Sequence, residues 1–204
     1  ESGFQTIIRA SLYEFLKDHS VSGAVVFPGA GSVEIAISSS KAGTVLDGLK
    51  FLRPLLVVPN VTIGISGNEI YRIANSVVTT HTLVQSGMNT HPTGVVHTVR
   101  RQLSAVDLSS LYNRFYAGGL MYGPQFRTVE HAWATQGHAC GSVRTKDLRG
   151  YTVHPATTDG MLHLIAPASS AVGVQIPASV GSIQVEGVAQ KLSWSSIQLT
   201  ESST

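Results

Sequence analysis

One cysteine, Cys140, among 204 residues leaves no partner for an intrachain disulfide, so the chain is expected in a reducing compartment. Charge is also scarce. Asp, Glu, Lys and Arg make up 13% of the residues, 14 basic against 12 acidic, for a formal charge of +2. Such a small, dispersed excess gives no basic stripe and excludes an electrostatic case for nucleic acid. No apolar run approaches the ~18 residues of a membrane span, and no charged-then-apolar leader opens the chain. The expectation is a soluble, cytoplasmic protein. The ends, Glu1-Ser2-Gly3-Phe4 and Glu201-Ser202-Ser203-Thr204, read as cut edges of something longer.

What is present is an apolar interior. Hydrophobic residues make up 43% of the chain, which excludes intrinsic disorder, and 20 glycines among short Val/Ile-rich runs lean toward sheet. A β-rich run at 21–27 is broken by Pro28-Gly29-Ala30-Gly31 and followed by a buried helix over 31–39. Strands are expected at 45–52, 55–66, 69–74, 77–85 and 95–101, with Gly67-Asn68 as a hairpin turn and 86–92 as a loop. Leu108, Leu111, Tyr112 and Phe115 recur at spacings of three and four, predicting a short amphipathic helix over 107–116. Beyond it come β-like runs at 126–135 and 138–144, a helix from Pro155 to about Ala166, and strands near 172–176, 182–188 and 191–199. Each half thus holds a buried helix and several antiparallel strands, as when a curled sheet wraps a helix.

Three motifs carry chemistry. His19 is followed by Gly23 and Pro28; Gly119-Leu120-Met121-Tyr122-Gly123-Pro124-Gln125-Phe126 lies midway; His154-Pro155-Ala156 leads to Asp159 and His163. An imidazole and an acid, each beside a proline-marked helix start, suggest a two-residue acid/base site. Taken alone, His19 is read more simply as a hydrogen-bonded structural histidine, Asp159 equally as a solvated or capping residue, and Tyr122-Gly123-Pro124 as turn chemistry.

Together and in this order, the motifs closely resemble the dehydratase domain of modular polyketide synthases and animal fatty acid synthase. The resemblance extends to Ile176-Pro177-Ala178-Ser179-Val180-Gly181-Ser182-Ile183 and so covers most of the chain. It implies an α+β double hotdog, with residues 1–102 as the N-terminal and 103–204 as the C-terminal hotdog. It also implies removal of water from a 3-hydroxyacyl thioester to give the 2-enoyl thioester. The substrate would ride on the phosphopantetheine of an acyl carrier protein, without a further cofactor. The carrier protein and neighbouring synthase domains would be the partners, and a homodimer inside a larger synthase is an expectation of the same kind.

The reaction needs a base for the C2 proton, an acid for the C3 hydroxyl and a cradle for charge on the thioester oxygen. Neutral imidazole suits the first role, so His19 is the expected base. Asp159 is the expected acid, provided that its apolar neighbours Met161, Leu162, Leu164 and Ile165 raise its pKa enough to keep it protonated. Gly29, at a helix start, would offer backbone amides to the oxyanion. His163, four residues after Asp159, would orient the carboxyl; Tyr122 would bring its hydroxyl near the pocket, with Gly123 and Pro124 shaping the wall. Glu34 reads as a structural polar contact, and strand alternation explains His131, His138 and Cys140 without a metal.

The chain departs from the family in its short connections, in Ser32 where a large aromatic is common, and in Thr157-Thr158 where small apolar residues are usual. These leave the reactive groups intact and the pocket's dimensions open. Other readings are a double-bond isomerase or cyclase using the same pair, a non-catalytic acyl-binding scaffold, and a hotdog thioesterase.

Overall fold

A computed structural model describes residues 3–39, 45–46, 48–84, 102–147, 150–170, 176–180, 183–184 and 192–198. The expected strands at 95–101 and, for the most part, 172–176, with the loop at 86–92, lie outside the described residues. In chain order the elements are β1 (Phe4–Ile7), α1 (Ala10–Leu16), β2 (His19–Val21), β3 (Ala24–Val25), α2 (Gly29–Ser39), β4 (Val45–Leu46), β5 (Leu49–Phe51), β6 (Thr62–Ser66), β7 (Glu69–Ala74) and β8 (Val77–Val84). They continue with β9 (Ser104–Ala105), α3 (Leu108–Ala117), β10 (Leu120–Tyr122), β11 (Val129–Thr135), β12 (His138–Arg144), α4 (Pro155–Leu162), α5 (Ile165–Ala168), β13 (Ser179–Val180), β14 (Ile183–Gln184) and β15 (Leu192–Gln198).

The largest sheet is antiparallel, in the order β1-β6-β7-β8-β5-β13. Helix α2 lies against it, and Val33, Ala36 and Ile37 join Leu49, Ile63, Ile65 and Ile70 in one core. Every residue of α2 from Ala30 to Glu34 is buried, as are Ala36 and Ile37, so the helix shows no polar stripe; it is enclosed rather than amphipathic. A second sheet, β15-β12-β11-β9, carries α4 and α5, with Val129, Ala132, Ala139, Leu164 and Ala168 as its core. This is the α+β double hotdog: antiparallel sheets, each curled on a buried helix.

The two helices meet. Glu34 of α2 accepts hydrogen bonds from the Thr152 and Val153 amides at 2.8 and 2.7 Å and from the Ser38 hydroxyl at 2.7 Å. Those amides lead into α4, so this buried carboxylate ties the two helices together and is the structural contact the sequence suggests.

Several expected elements differ from those observed, and the strand expected at 55–66 is confined to β6 and an isolated bridge at Leu56. The helix expected from Pro155 to about Ala166 stops at Leu162 and restarts at Ile165, because Pro167 has no amide hydrogen and its ring would clash with the carbonyl four residues back, at His163. The run at 45–52 splits into β4 and β5 around Gly48, which has an extended φ of 159°. The Gly67-Asn68 hairpin forms as expected, closing Ser66 onto Glu69.

Candidate active site

His19 stands on the short hairpin β2–β3, whose two-residue turn, Ser22-Gly23, has φ of +49° and +84°. Positive φ at both positions is the turn that matches strand twist, and the second position suits glycine. Gly23 therefore acts through the backbone. The hairpin brings the Val26 carbonyl to 2.8 Å from His19 Nδ1. A carbonyl only accepts, so Nδ1 carries the hydrogen, and in the neutral ring Nε2 keeps its lone pair.

The midway motif finds His19 by strand pairing. In the β10–β2 ladder Tyr122 sits opposite His19, and the Asp18 carbonyl and carboxylate accept from the Gly123 and Gln125 amides, both at 2.8 Å. Gly123 lies so close to the Asp18 carboxylate that a Cβ there would collide with it. Gly123 and Pro124 do not line the cavity, so neither shapes its wall as expected; the Gly123 and Gln125 amides instead clamp the strand that does.

Asp159 arrives on α4. His154 caps this helix by accepting from the Ala156 amide at 3.2 Å, and Pro155 occupies its first turn, where a missing amide hydrogen costs nothing. Gly160 packs against Thr128 and Val143 with no room for a Cβ, which lets α4 sink onto β12. Asp159 is 5% exposed and His19 8%. His19 Nε2 faces Asp159 Oδ1 at 3.8 Å, and His163 Nε2 donates to Asp159 Oδ2 at 3.0 Å. One carboxylate oxygen is thus held by His163 while the other is turned toward His19.

The expectation that apolar neighbours raise the pKa of Asp159 is overturned. Desolvation pushes the carboxyl up, but the His19 charge and the hydrogen bond and charge of His163 together outweigh it and hold the pKa below the ordinary carboxylate value. The apolar neighbours bury the group; the two imidazoles decide its titration.

Tyr122 lies between the histidines, with ring centroids 5.5 Å from His19 and 4.1 Å from His163, and burial drives its phenol pKa up. Phe126 closes the other side of His19 at 5.3 Å. A cavity of about 590 Å³ is lined by His19, Asp159, His163 and Tyr122 together with Gly29 and Phe51. Gly29 opens α2, where the Pro28 carbonyl takes the first helical bonds from the Gly31 and Ser32 amides. A Cβ on Gly29 would press on the Phe51 ring at 3.1 Å. Pro28 itself is fully buried behind this turn. Among the described residues no cluster of His, Cys, Asp and Glu is arranged to hold a metal ion, and His131 instead meets the Ser142 hydroxyl at 3.1 Å.

Tyr112 was not singled out for chemistry by sequence reasoning. Its hydroxyl stands 3.4 Å from His163 Nδ1, and burial raises its pKa to about 12, with the Val129 amide opposing the rise. It therefore stays a phenol, and its contact with Nδ1 holds the His163 ring with Nε2 turned toward Asp159. Its spacing with Leu111 and Phe115 reads as core; the polar tip within an apolar stripe is the only sequence signal. Tyr112→Phe should lower kcat about fivefold, from losing roughly 1 kcal/mol of orientation, and leave KM within about twofold. Steady-state kinetics with an unchanged kcat would rule this positioning role out.

Comparison with known proteins points to one family. Among curated relatives, Mycoketide-CoA synthase of Mycobacterium tuberculosis is 29% identical over 185 residues; the match covers 80% of this chain but 4% of that protein. The dehydratase domain from the CurF module of curacin polyketide synthase superposes with a TM-score of 0.83 at 21% identity, covering 98% of this chain and 83% of that one. Two inactive mutants of the CurK dehydratase, one with aspartate changed to asparagine and one with histidine changed to phenylalanine, superpose with TM-scores of 0.77 and 0.78 at 20% identity. They cover 97% and 98% of this chain, and the match spans 81% of each of theirs. The family model described as polyketide synthase dehydratase domain matches residues 1–79, and that described as polyketide synthase dehydratase N-terminal domain matches residues 90–204. With its fold, its paired His19 and Asp159 and both family models in agreement, the chain belongs to the polyketide synthase dehydratase family.

Proposed function

We propose that this dehydratase domain eliminates water from a 3-hydroxyacyl thioester carried on the phosphopantetheine of an acyl carrier protein, with His19 as base and Asp159 as acid. The observation that carries the reading is the approach of His19 Nε2 to Asp159 Oδ1, 3.8 Å apart in one buried cavity that Gly29 also lines. The CurK mutants described as inactive carry changes at a histidine and an aspartate, which supports giving those residue types the central roles.

His19 Nε2 takes the C2 proton, and the C2–H electrons become the C2=C3 double bond. The C3–O bond breaks, and the hydroxyl leaves as water with the proton from Asp159. The step turns a neutral imidazole and a protonated carboxyl into imidazolium and carboxylate. That charged pair is the state favoured by the low pKa of Asp159, so the site stabilises the charges that elimination creates. A strong acid is also the better donor to a hydroxyl leaving group.

Helix α2 has eleven residues, and the first turn from Gly29 presents positive partial charge to the cavity. The thioester oxygen belongs at this end, where negative charge builds as C2 loses its proton. His163 fixes Asp159 Oδ2, which leaves Oδ1 for the leaving hydroxyl.

The division into units 1–102 and 103–204 belongs to the same proposal. It is supported by one buried helix on one antiparallel sheet in each part. The parts are interleaved: β13 pairs with β5 and β14 with β4.

Incubating the chain with a 3-hydroxyacyl pantetheine or carrier-protein thioester should give a product lighter by one water, with a conjugated enoyl absorbance. A product of unchanged mass would indicate an isomerase, free acid a thioesterase, and binding without turnover a scaffold; each would overturn the proposal.

A further inference from the structure

Two buried hydroxyls in the cavity wall are not used by the mechanism. Ser32 is the fourth residue of α2, and Thr82 lies on β8 in register with Phe51 of β5 and Ile70 of β7. They are 4% and 3% exposed, and both line the cavity beside Val26, Phe27, Phe51 and Leu55.

Their oxygens stand 3.4 Å apart, and among the described residues neither side chain makes another hydrogen bond. Each hydroxyl brings one donor and two acceptor lone pairs. One mutual contact, well beyond the ~2.8 Å ordinary for O–H···O, uses one of the two hydrogens and uses it poorly. A second donor and further lone pairs remain in a wall whose other side chains named above are apolar. Buried polar groups are normally satisfied, and here the space they face is the substrate's own cavity. Thr158 Oγ1 is also buried without a partner, but it does not line the cavity, so no ligand can reach it in this way.

We propose that Ser32 and Thr82 form an oxygen-binding subsite for the acyl chain, so that the preferred substrate carries a hydroxyl or carbonyl beyond C3 rather than a saturated tail. A carbonyl accepts the spare hydroxyl hydrogen; a hydroxyl does the same or donates to either oxygen. A saturated chain at this place would leave the hydroxyls unpaired and dry, which is how a hydrogen-bonding site rejects an analogue lacking the group. The inference rests on the cavity being the dehydratase substrate site.

The test compares 3-hydroxyacyl pantetheine thioesters of equal length, one series saturated and one bearing a keto or hydroxyl group at successive carbons from C5 outward. In the wild-type chain, one oxygenated position should exceed the saturated chain by about tenfold or more in kcat/KM. Ser32→Ala and Thr82→Val, which remove a hydroxyl with little change of shape, should each bring that ratio to within about threefold. Equal rates for both series, or a preference retained in both variants, would overturn the subsite. Calorimetric binding of the corresponding unreactive amide analogues gives a second readout, in which the same preference should appear as a ratio of Kd. If no thioester turns over but the binding ratio holds, the dehydratase reading fails and the subsite stands. Equal Kd values overturn the subsite whatever the turnover.

Discussion

Replacing His19 by alanine or by glutamine is expected to lower kcat for dehydration by about 10²- to 10⁴-fold, the range ordinarily lost with a general base. The two variants separate chemistry from packing. His19 fills the space between Tyr122 and Phe126, so alanine leaves a gap between those rings and costs some stability, whereas glutamine occupies most of the volume. Glutamine can also donate to the Val26 carbonyl as His19 Nδ1 does, but its amide has no basic nitrogen for C2. Comparable losses in both variants, with a melting temperature near wild type for glutamine, would identify the imidazole lone pair as the missing element. If His19→Gln kept turnover within about tenfold of wild type, His19 would be a structural histidine and the base would lie elsewhere.

Asp159→Asn is expected to reduce kcat by a similar 10²- to 10⁴-fold, for the opposite reason. Asparagine fills the same space and its carbonyl oxygen accepts from His163 Nε2 as the carboxylate does, but it cannot hand a proton to the leaving hydroxyl. The same substitution carries a pH signature in stability. Asp159 has a folded-state pKa below its ordinary value near 3.8: burial raises it, but His19 and His163 lower it by more. Its stabilisation is therefore complete above about that value and disappears as pH falls through the depressed folded pKa. Thermal melts from neutral pH downward should show wild type losing stability over that acidic range. Asp159→Asn should start lower and fall less steeply. Parallel curves would mean that the carboxylate is not held by the two imidazoles.

Much of the fold could be read from residue patterns because the relevant signals are local. Strands β7 and β12 fall at the expected residues, the Gly67-Asn68 turn closes its hairpin, and Asp107 starts α3 by accepting from the Ser109 and Ser110 amides. The break in α4–α5 was legible in principle, since Pro167 marks it. The splitting of 45–52 and 55–66 into short pieces was not, because an apolar β-branched run reads alike whether its ladder is continuous or interrupted.

The site divides in the same way. The chemical inventory, an imidazole, a carboxyl with a histidine one turn on, and a glycine opening a helix, is written in His19, Asp159, His163 and Gly29, because reactivity belongs to residue type. Three things depended on neighbours far apart in the chain. Burial raises Asp159's pKa and the two histidines lower it by more; of these, His19 is brought to it by the packing of α2 against α4 and of β10 against β2. Tyr112 became part of the site because α3 lays its ring against His163. Gly123, with Gln125, became a clamp on Asp18 rather than a pocket wall because β10 pairs with β2 in one register. Charge coupling, ring contact and register act across space, so residue type settles which groups can react, while long-range packing settles which of them share a cavity and in what state of charge.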